Sequence, residues 1–294
     1  MNDKTNSRRN FLKSAAIGLI GGTLGLPKAS GAVTESNTPL STISGPLKLG
    51  VATYSLRNFS RPEAINMIRE IGARYVNIKS FHLPEDGTRD ELAAGRKDFE
   101  EAGLEITGGG VITLREDNDE HIRARFEYAR NSGLPVMVIA PTPQTLPRIE
   151  KFVKAYDIKV AIHNHGPEDR YFPSPQDALK HIRDMDPRVG ICNDLGHTVR
   201  TGQDLMESLV ASGERLYDVH LKDLRDLSDK DSQCVIGEGS MPVADIFYQL
   251  AQMNYQGAVS LEYEIEADHP LPGMKQSFSY MRGINDGLNK AMRI

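Results

Sequence analysis

The sequence predicts an α/β fold, a closed (β/α)8 TIM barrel. Eight short apolar or β-branched runs each precede an amphipathic stretch, and this alternation predicts parallel strands joined by helices. Eight such units within about 250 residues fit a closed barrel. An open doubly wound sheet is the alternative, but no glycine-rich phosphate loop follows the first run. With 39% hydrophobic and 26% charged residues in a chain of 294, the composition is that of a globular protein.

The predicted elements follow one another in order from residue 48. The strands are 48–53, 75–79, 105–109, 136–140, 160–165, 189–194, 217–222 and 258–262. Helices are predicted to begin near Arg61, Asp90, Asp119, Thr142, Asp177, Asp204, Val243 and Leu271. Several of these starts carry Asp, Thr or an early Pro, which favour helix initiation. Three glycines, Gly72, Gly103 and Gly133, stand where helices are expected to end.

The first 32 residues have the layout of a twin-arginine export signal. Arg8 and Arg9 precede a soft apolar run over 14–26, and Ser-Gly-Ala at 30–32 offers a cleavage site. A disordered tail with two chance arginines is the alternative. We therefore expect a signal peptide over 1–32, a linker over 33–46, a barrel over 47–294 and a periplasmic location.

Charge and hydropathy exclude several classes of partner. Removal of residues 1–32 changes the net charge from −5 to about −9, with 30 basic and 39 acidic residues left. Such a surface repels a phosphate backbone, so nucleic acid is not an expected partner. No later stretch approaches the roughly 18 apolar residues of a membrane span. The sequence leaves the oligomeric state open, a homo-oligomer included.

Histidines gather where strands are predicted to end. Five of the eight lie at or just after such an end, namely His82, His163, His165, His197 and His220. Asp194 and Glu262 end two further strands. In a barrel the carboxyl ends of the strands carry the active site. This clustering therefore predicts catalysis at that end.

Neither cysteine is expected to take part in the chemistry of the site. Alternate residues of a strand share a face, so Cys192 is expected beneath Asp194 as a small core residue. Cys234 follows the seventh strand and is expected to be a free surface or loop thiol. Two cysteines cannot form a disulfide framework.

Four residues from strands five to eight form a candidate metal site. His163, Asp194, His220 and Glu262 offer two imidazoles and two carboxylates. This nitrogen and oxygen set suits Mn²⁺, Zn²⁺, Co²⁺ or Fe²⁺. A divalent ion there would polarise a substrate carbonyl and stabilise an enolate.

Further candidates follow the first and second strands. Lys79 is predicted either to bind an anion or act as an acid or base, or to be a solvated strand-end cation. His82 is a candidate substrate contact or proton donor, and Tyr54 with Arg57 is expected to line the pocket. Glycines 108–110 are expected to give backbone room at the mouth of the barrel.

Five segments together resemble the xylose isomerase-like TIM barrels. They are VAIHNHG at 160–166, ICNDLGH at 191–197, VHLKD at 219–223, GEG at 237–239 and SLE at 260–262. That family includes sugar isomerases and epimerases, inosose dehydratases and endonuclease IV relatives. The resemblance covers residues 48–292. It implies metal binding by Asp194, His220 and Glu262, and contacts to substrate hydroxyls by His197. Glu238, in a Gly-Glu-Gly turn like the one that recurs in the family, is expected either to be structural or to reach the substrate. Lys222 is a further candidate substrate contact.

The fifth strand departs from the family pattern. The family commonly has Glu-Asn-His there, and this chain has His163, Asn164 and His165. In the epimerases that Glu is both a metal ligand and one of two acid/base groups. Only Glu262 remains of the pair, which disfavours a two-carboxylate epimerisation.

The leading functional hypothesis is a metal-dependent enzyme that enolises a keto-sugar or keto-glycoside. Glu262 is a candidate catalytic carboxylate, and Lys79, His82 or His165 would return the proton to carbon or to a departing oxygen. Return to carbon gives isomerisation or epimerisation. Loss of a β-substituent makes the enzyme a lyase or hydratase.

Two other classes are disfavoured. Phosphodiester cleavage of the endonuclease IV type needs a multi-metal cluster with more His and Glu ligands and a basic surface for DNA. The expected export signal and the net charge of about −9 argue against it. A non-catalytic sugar-binding barrel would have no need to keep Asp194, His220 and Glu262.

Overall fold

The computed structural model describes residues 46–291, in which strands and helices alternate. The strands are β1 Lys48–Ala52, β2 Tyr75–Ile78, β3 Glu105–Leu114, β4 Val136–Pro141, β5 Lys159–His163, β6 Val189–Asp194, β7 Leu216–Leu221, β8 Asp223–Leu224, β9 Gln233–Cys234 and β10 Ala258–Leu261. The helices are α1 Arg61–Ile71, α2 Arg89–Glu101, α3 Asp119–Ser132, α4 Leu146–Tyr156, α5 Pro175–Ile182, α6 Leu195–Arg200, α7 Leu205–Ser212, α8 Val243–Gln252 and α9 Leu271–Ala291. The predicted export signal lies outside the described residues.

Eight parallel strands close into a barrel in the order β1-β10-β7-β6-β5-β4-β3-β2. The register between β1 and β10 pairs Lys48 with Ala258 and completes the ring. The predicted TIM barrel is therefore confirmed. Parallel pairing brings all eight carboxyl ends to one rim, which is where the predicted site residues stand.

Two local elements differ from the prediction. Helix α4 begins at Leu146, not near Thr142. Residues 142–145 form a separate turn before the helix, in which the Thr145 Oγ1 accepts a hydrogen bond from the Thr142 amide at 3.0 Å. Strand β3 continues to Leu114, since the glycines shift its register without ending it. Gly110 has φ +123°, and a Cβ there would lie 2.1 Å from the Val138 carbonyl oxygen.

Three further elements have too little sequence signal to be predicted. Helix α6 has only six residues and starts directly behind β6, with Asp194 as its N-cap. Strands β8 and β9 have two residues each and pair antiparallel in the loop after β7. Strands this short carry no hydrophobic periodicity.

The helices pack around the barrel through a continuous apolar core. A smaller apolar cluster inside the barrel contains Val136, Val138, Ala161 and Cys192. Cys192 is fully buried, as predicted. Cys234 is also buried in β9, so the surface alternative for this thiol is wrong. Among the described helices, none is both long and apolar enough to cross a membrane.

Candidate active site

Six of the predicted site residues line a cavity of about 290 Å³ at the carboxyl ends of the strands. Its lining consists of Tyr54, Lys79, Ser80, Phe81, Val111, His163, His165, His197, Glu262 and Glu264. Asp194 and His220 are fully buried and do not line it. The site therefore has an open layer that a substrate can reach and a closed layer that supports it.

The four candidate metal ligands converge, with their ligand atoms all within 4.8 Å of one another. His163 Nε2 lies 3.1 Å from His220 Nδ1 and 3.7 Å from Asp194 Oδ2. His220 Nδ1 lies 3.3 Å from Glu262 Oε2. The four side chains therefore converge, as their positions at the ends of the predicted strands indicated.

Two lysines neutralise the carboxylates of the cluster. Lys79 Nζ lies 3.2 Å from Glu262 Oε1. Lys222 Nζ lies 3.0 Å from Asp194 Oδ2 and 3.2 Å from Glu262 Oε2, and it also contacts Glu264. Lys79 is only 4% exposed, so the interpretation of it as a solvated strand-end cation is wrong.

The pairing fixes the charge states of these groups. Burial alone would raise the pKa of Glu262, but His220, Lys79 and Lys222 outweigh it and hold the pKa well below its ordinary value. Burial likewise opposes the charge of Lys222, yet Asp194, Glu262 and Glu264 raise the pKa of its ammonium well above the usual range. Both groups are therefore charged at neutral pH.

The donor set fits a divalent cation. Asp194 Oδ2 is buried without a hydrogen-bond partner among the described residues, because Lys222 is close but misaligned. Two imidazole nitrogens, one from His163 and one from His220, face each other across 3.1 Å. Burial raises the pKa of Cys192 to about 11, so the neighbouring thiol is protonated. Imidazole and carboxylate donors without thiolate suit Zn²⁺, Mn²⁺, Co²⁺ or Fe²⁺.

An outer layer orients the donors. Asp218 Oδ2 lies 3.6 Å from His220 Nε2 and accepts a hydrogen bond from Asn77 Nδ2 at 2.5 Å. A carboxylate behind a ligating histidine is the usual arrangement in metal sites. Asn164 Oδ1 accepts from the Asp194 amide at 2.9 Å, and its Nδ2 donates to Thr198 Oγ1 at 3.0 Å. Asn164 thereby links β5 to the start of α6.

The two histidines at the cavity rim have different partners. His165 Nδ1 lies 3.2 Å from Asp169 Oδ2. Burial opposes ionisation of Asp169, but hydrogen bonds from His165 and from backbone amides lower its pKa to about 2. His197 Nδ1 lies 2.8 Å from Arg200 Nη2, and burial lowers the pKa of His197 to about 4.

Two predicted substrate contacts lie away from the cavity. His82 is 1% exposed and its Nε2 lies 3.1 Å from the Phe59 carbonyl, because a tight turn on the Lys79 carbonyl directs Phe81 to the cavity instead. Glu238 is half exposed and pairs with Arg225 at 3.2 Å. Neither His82 nor Glu238 lines the cavity, so the structure does not bring these two predicted substrate contacts to the site.

The Gly-Glu-Gly turn is structural because Asp223 holds it. This fully buried carboxylate accepts from the amides of Gly237 at 2.8 Å, Gly239 at 3.1 Å and Met241 at 3.0 Å. The turn therefore faces Asp223 with its backbone and leaves Glu238 outside. Glu264, which the sequence reasoning missed, lines the cavity two residues after Glu262, as strand alternation could have indicated.

The remaining predicted contacts do reach the cavity region. Tyr54 lines the cavity, and the guanidinium of Arg57 stacks 4.7 Å from its ring centre and donates to the Glu264 carbonyl at 2.8 Å. Lys222 lines a second cavity of about 340 Å³. His197 and Glu264 line both cavities, so the two adjoin.

Comparisons with known proteins agree with this fold. Residues 65–284 match the family described as xylose isomerase-like TIM barrel. The inosose dehydratase of Mesomycoplasma hyopneumoniae strain J is 27% identical over 160 residues, which are 48% of this chain and 53% of that relative. The chain thus spans about half the length of that relative.

A putative hydroxypyruvate isomerase of Streptomyces coelicolor is 23% identical over 232 residues, covering 66% of this chain and 80% of the relative. Among solved structures, the IOLI protein with a bound zinc atom superposes with a TM-score of 0.67 at 16% identity, covering 84% of this chain and 99% of that one. Because the family match takes in most of the barrel, the chain belongs to the xylose isomerase-like TIM barrel family.

Proposed function

We propose that the protein is a divalent-metal-dependent enzyme that removes a proton next to the carbonyl of a keto-sugar or keto-glycoside. One observation carries the proposal: the Glu262 carboxylate lines the cavity while it contacts both the donor cluster and the Lys79 ammonium. Buried charge is costly unless it is paired. A site that gathers this much of it is a strong candidate for acid/base chemistry.

Each residue has a proposed role. His163, Asp194, His220 and Glu262 would hold the ion. When bound, a divalent ion supplies polarisation of a carbonyl oxygen, which acidifies the neighbouring carbon. Glu262 is held ionised, the state that a proton acceptor needs, and Lys79 beside it is placed to donate to a substrate oxygen. His165 is the second candidate acid/base group, and Tyr54, His197 and Lys222 would contact substrate hydroxyls.

The adjoining cavities favour a substrate larger than one sugar ring. The catalytic cavity of about 290 Å³ meets the second one, of about 340 Å³, at His197 and Glu264. A keto-glycoside could place its keto-sugar in the first cavity and its aglycone in the second. Elimination of the aglycone then becomes the leading alternative to isomerisation or epimerisation. The relatives named dehydratase and isomerase are compatible with either outcome.

The test is proton NMR of the full chain with Zn²⁺ and a 3-keto-glucoside in D₂O. Release of the aglycone would identify a lyase or hydratase. Deuterium beside the carbonyl, with the glycosidic bond intact, would identify an isomerase or epimerase. No exchange and no release from the keto-glycoside or from a panel of free ketoses would overturn the proposal.

We also propose export through the twin-arginine route to the periplasm. The support is the order of Arg8 and Arg9, the apolar run and the cleavage site. In a bacterial host the protein should appear in the periplasmic fraction. The double variant Arg8→Lys with Arg9→Lys should remain in the cytoplasm, and equal export of this variant would contradict the proposal.

A further inference from the structure

Two histidines face the catalytic cavity with opposite partners behind them. His165 has the carboxylate of Asp169 at Nδ1, at 3.2 Å. His197 has the guanidinium of Arg200 at Nδ1, at 2.8 Å. The ring centres are 5.9 Å apart, so one substrate molecule can contact both.

These partners leave each ring a single hydrogen arrangement when it is neutral. An ionised carboxylate only accepts hydrogen bonds, so His165 must carry its proton at Nδ1 and leave a lone pair at Nε2. A guanidinium only donates, so Nδ1 of His197 must be the lone pair and Nε2 must carry the proton. The low pKa of Asp169, about 2, agrees with an ionised carboxylate at His165.

Both partners are themselves held in place. Asp169 Oδ1 accepts from the backbone amides of Tyr171 at 2.8 Å and Phe172 at 3.2 Å, which leaves Oδ2 for His165. The Arg200 side chain is only 4% exposed, and its Nη1 donates to Glu168 Oε1 at 2.7 Å. Neither group can turn away without losing these bonds.

We propose that Asp169 and Arg200 are positioning residues that give the two rim histidines opposite tautomers. His165 then offers the substrate a hydrogen-bond acceptor at Nε2, and His197 offers a donor at Nε2. The pair therefore fits a substrate with a hydroxyl that donates next to a second oxygen that accepts, as in an α-hydroxy ketone. This fit rests on the proposed function, whereas the tautomers themselves do not.

The test is nitrogen-15 NMR of the full chain labelled at histidine, with two-bond proton correlations that distinguish the ring nitrogens. The variants His165→Gln and His197→Gln assign the two rings by loss of their signals. We expect His165 protonated at Nδ1 and His197 at Nε2. The same tautomer in both rings of the unsubstituted protein would overturn the proposal.

Asp169→Asn should invert one ring alone. The amide oxygen of the new side chain stays on the amides of Tyr171 and Phe172, so its NH₂ group faces His165 and drives the proton to Nε2. We expect the His165 pattern to switch, His197 to stay as it was, and kcat/KM to fall by at least about 100-fold, since a histidine in the wrong tautomer is a poor catalyst. An unchanged His165 pattern in folded protein would contradict the assignment.

Arg200→Met removes the donor at Nδ1 of His197, so the His197 signals should show a mixture of both tautomers. Arg200→Lys keeps a donor there and should give the single tautomer of the unsubstituted protein. Asp157→Asn, at an 84% exposed side chain, is the matched control and should change neither ring. If the tautomers are as expected and no keto substrate reacts, the proposed function fails alone. If substrate reacts and both rings share one tautomer, the present inference fails alone.

Discussion

The two ends of the barrel carry opposite kinds of cavity. The amino end opens into the larger one, about 710 Å³, lined by residues such as Lys48, Glu105 and Lys159. Its charges are close to solvent: Lys48 and Glu105 pair at 3.6 Å with side chains 41% and 49% exposed. The carboxyl-end cavity is less than half that size, yet the Lys79 and Glu262 side chains that line it are only 5% and 7% exposed.

The difference teaches that burial and convergence of charge, not volume, mark the site. A half-exposed ion pair is solvated and contributes little, typically below 1 kcal/mol. A buried carboxylate needs partners on every side, and Glu262 has three in His220, Lys79 and Lys222. Such an arrangement is retained where chemistry uses it. In TIM barrels the amino end serves stability instead.

The same substitution at each end should give the largest contrast. Glu262→Gln removes the carboxylate proposed to accept the proton, so turnover of the keto substrate should fall by about 1,000-fold or more. Glu105→Gln, at the other end, should stay within about twofold of the unsubstituted enzyme. Steady-state rates of the two purified variants with the keto substrate measure this contrast. Comparable losses in both would remove the distinction between the ends.

Stability should depend on a carboxyl-end residue that is not catalytic. Asp223→Ala leaves buried backbone amides of the loop after β7 without an acceptor, which costs about 3 kcal/mol of unfolding free energy. Glu238→Ala in the same turn removes only an exposed pair with Arg225 and should cost less than about 0.5 kcal/mol. Urea unfolding of both variants measures the difference. Equal costs would show that Asp223 does not hold the turn.

The outer layer of the cluster should tune metal affinity. Asp218→Asn keeps the size of the side chain but weakens the carboxylate support behind His220, so Zn²⁺ affinity should fall by about 10-fold to 100-fold. Competition with a chromogenic chelator gives the dissociation constants. Asp157→Asn serves as the control and should leave them unchanged. Unaltered affinity in Asp218→Asn would exclude a supporting role for this carboxylate.

The smallest effect is expected at the amino end. Lys159 Nζ lies 4.7 Å from the ring centre of Tyr217, and both line the larger cavity. Lys159→Met should cost at most about 1 kcal/mol of stability through this cation–π contact. The rate with the keto substrate should not change. A strong loss of rate with intact folding would mean that the larger cavity takes part in catalysis.

Strand order and strand positions could be predicted because each strand is a short apolar run that is followed by an amphipathic helix. That was enough to bring His163, Asp194, His220 and Glu262 together. Loop direction could not be predicted in the same way. His82 lies just past β2, but the turn after Lys79 buries it on the far side.

The residues that hold the backbone around the site could not be predicted from the sequence either. Asn164 and Asp223 act by bonding backbone amides of distant segments, 30 and about 14 residues away. Neither contact leaves a periodic pattern in the sequence. A charged residue between two glycines fits both a structural turn and a side chain that reaches the substrate, so the sequence left the role of Glu238 open. The structure shows that the backbone of this turn is anchored by Asp223.

Metal titration of the purified protein tests the central claim most directly, namely that the buried donors of the carboxyl end form a metal-assisted proton-transfer site. Isothermal titration with Zn²⁺ or Co²⁺ should give one tightly bound ion per chain. The variant Asp194→Asn should lose most of that affinity, and Glu105→Gln should keep it. Absence of binding, or equal binding in all three proteins, would contradict the account.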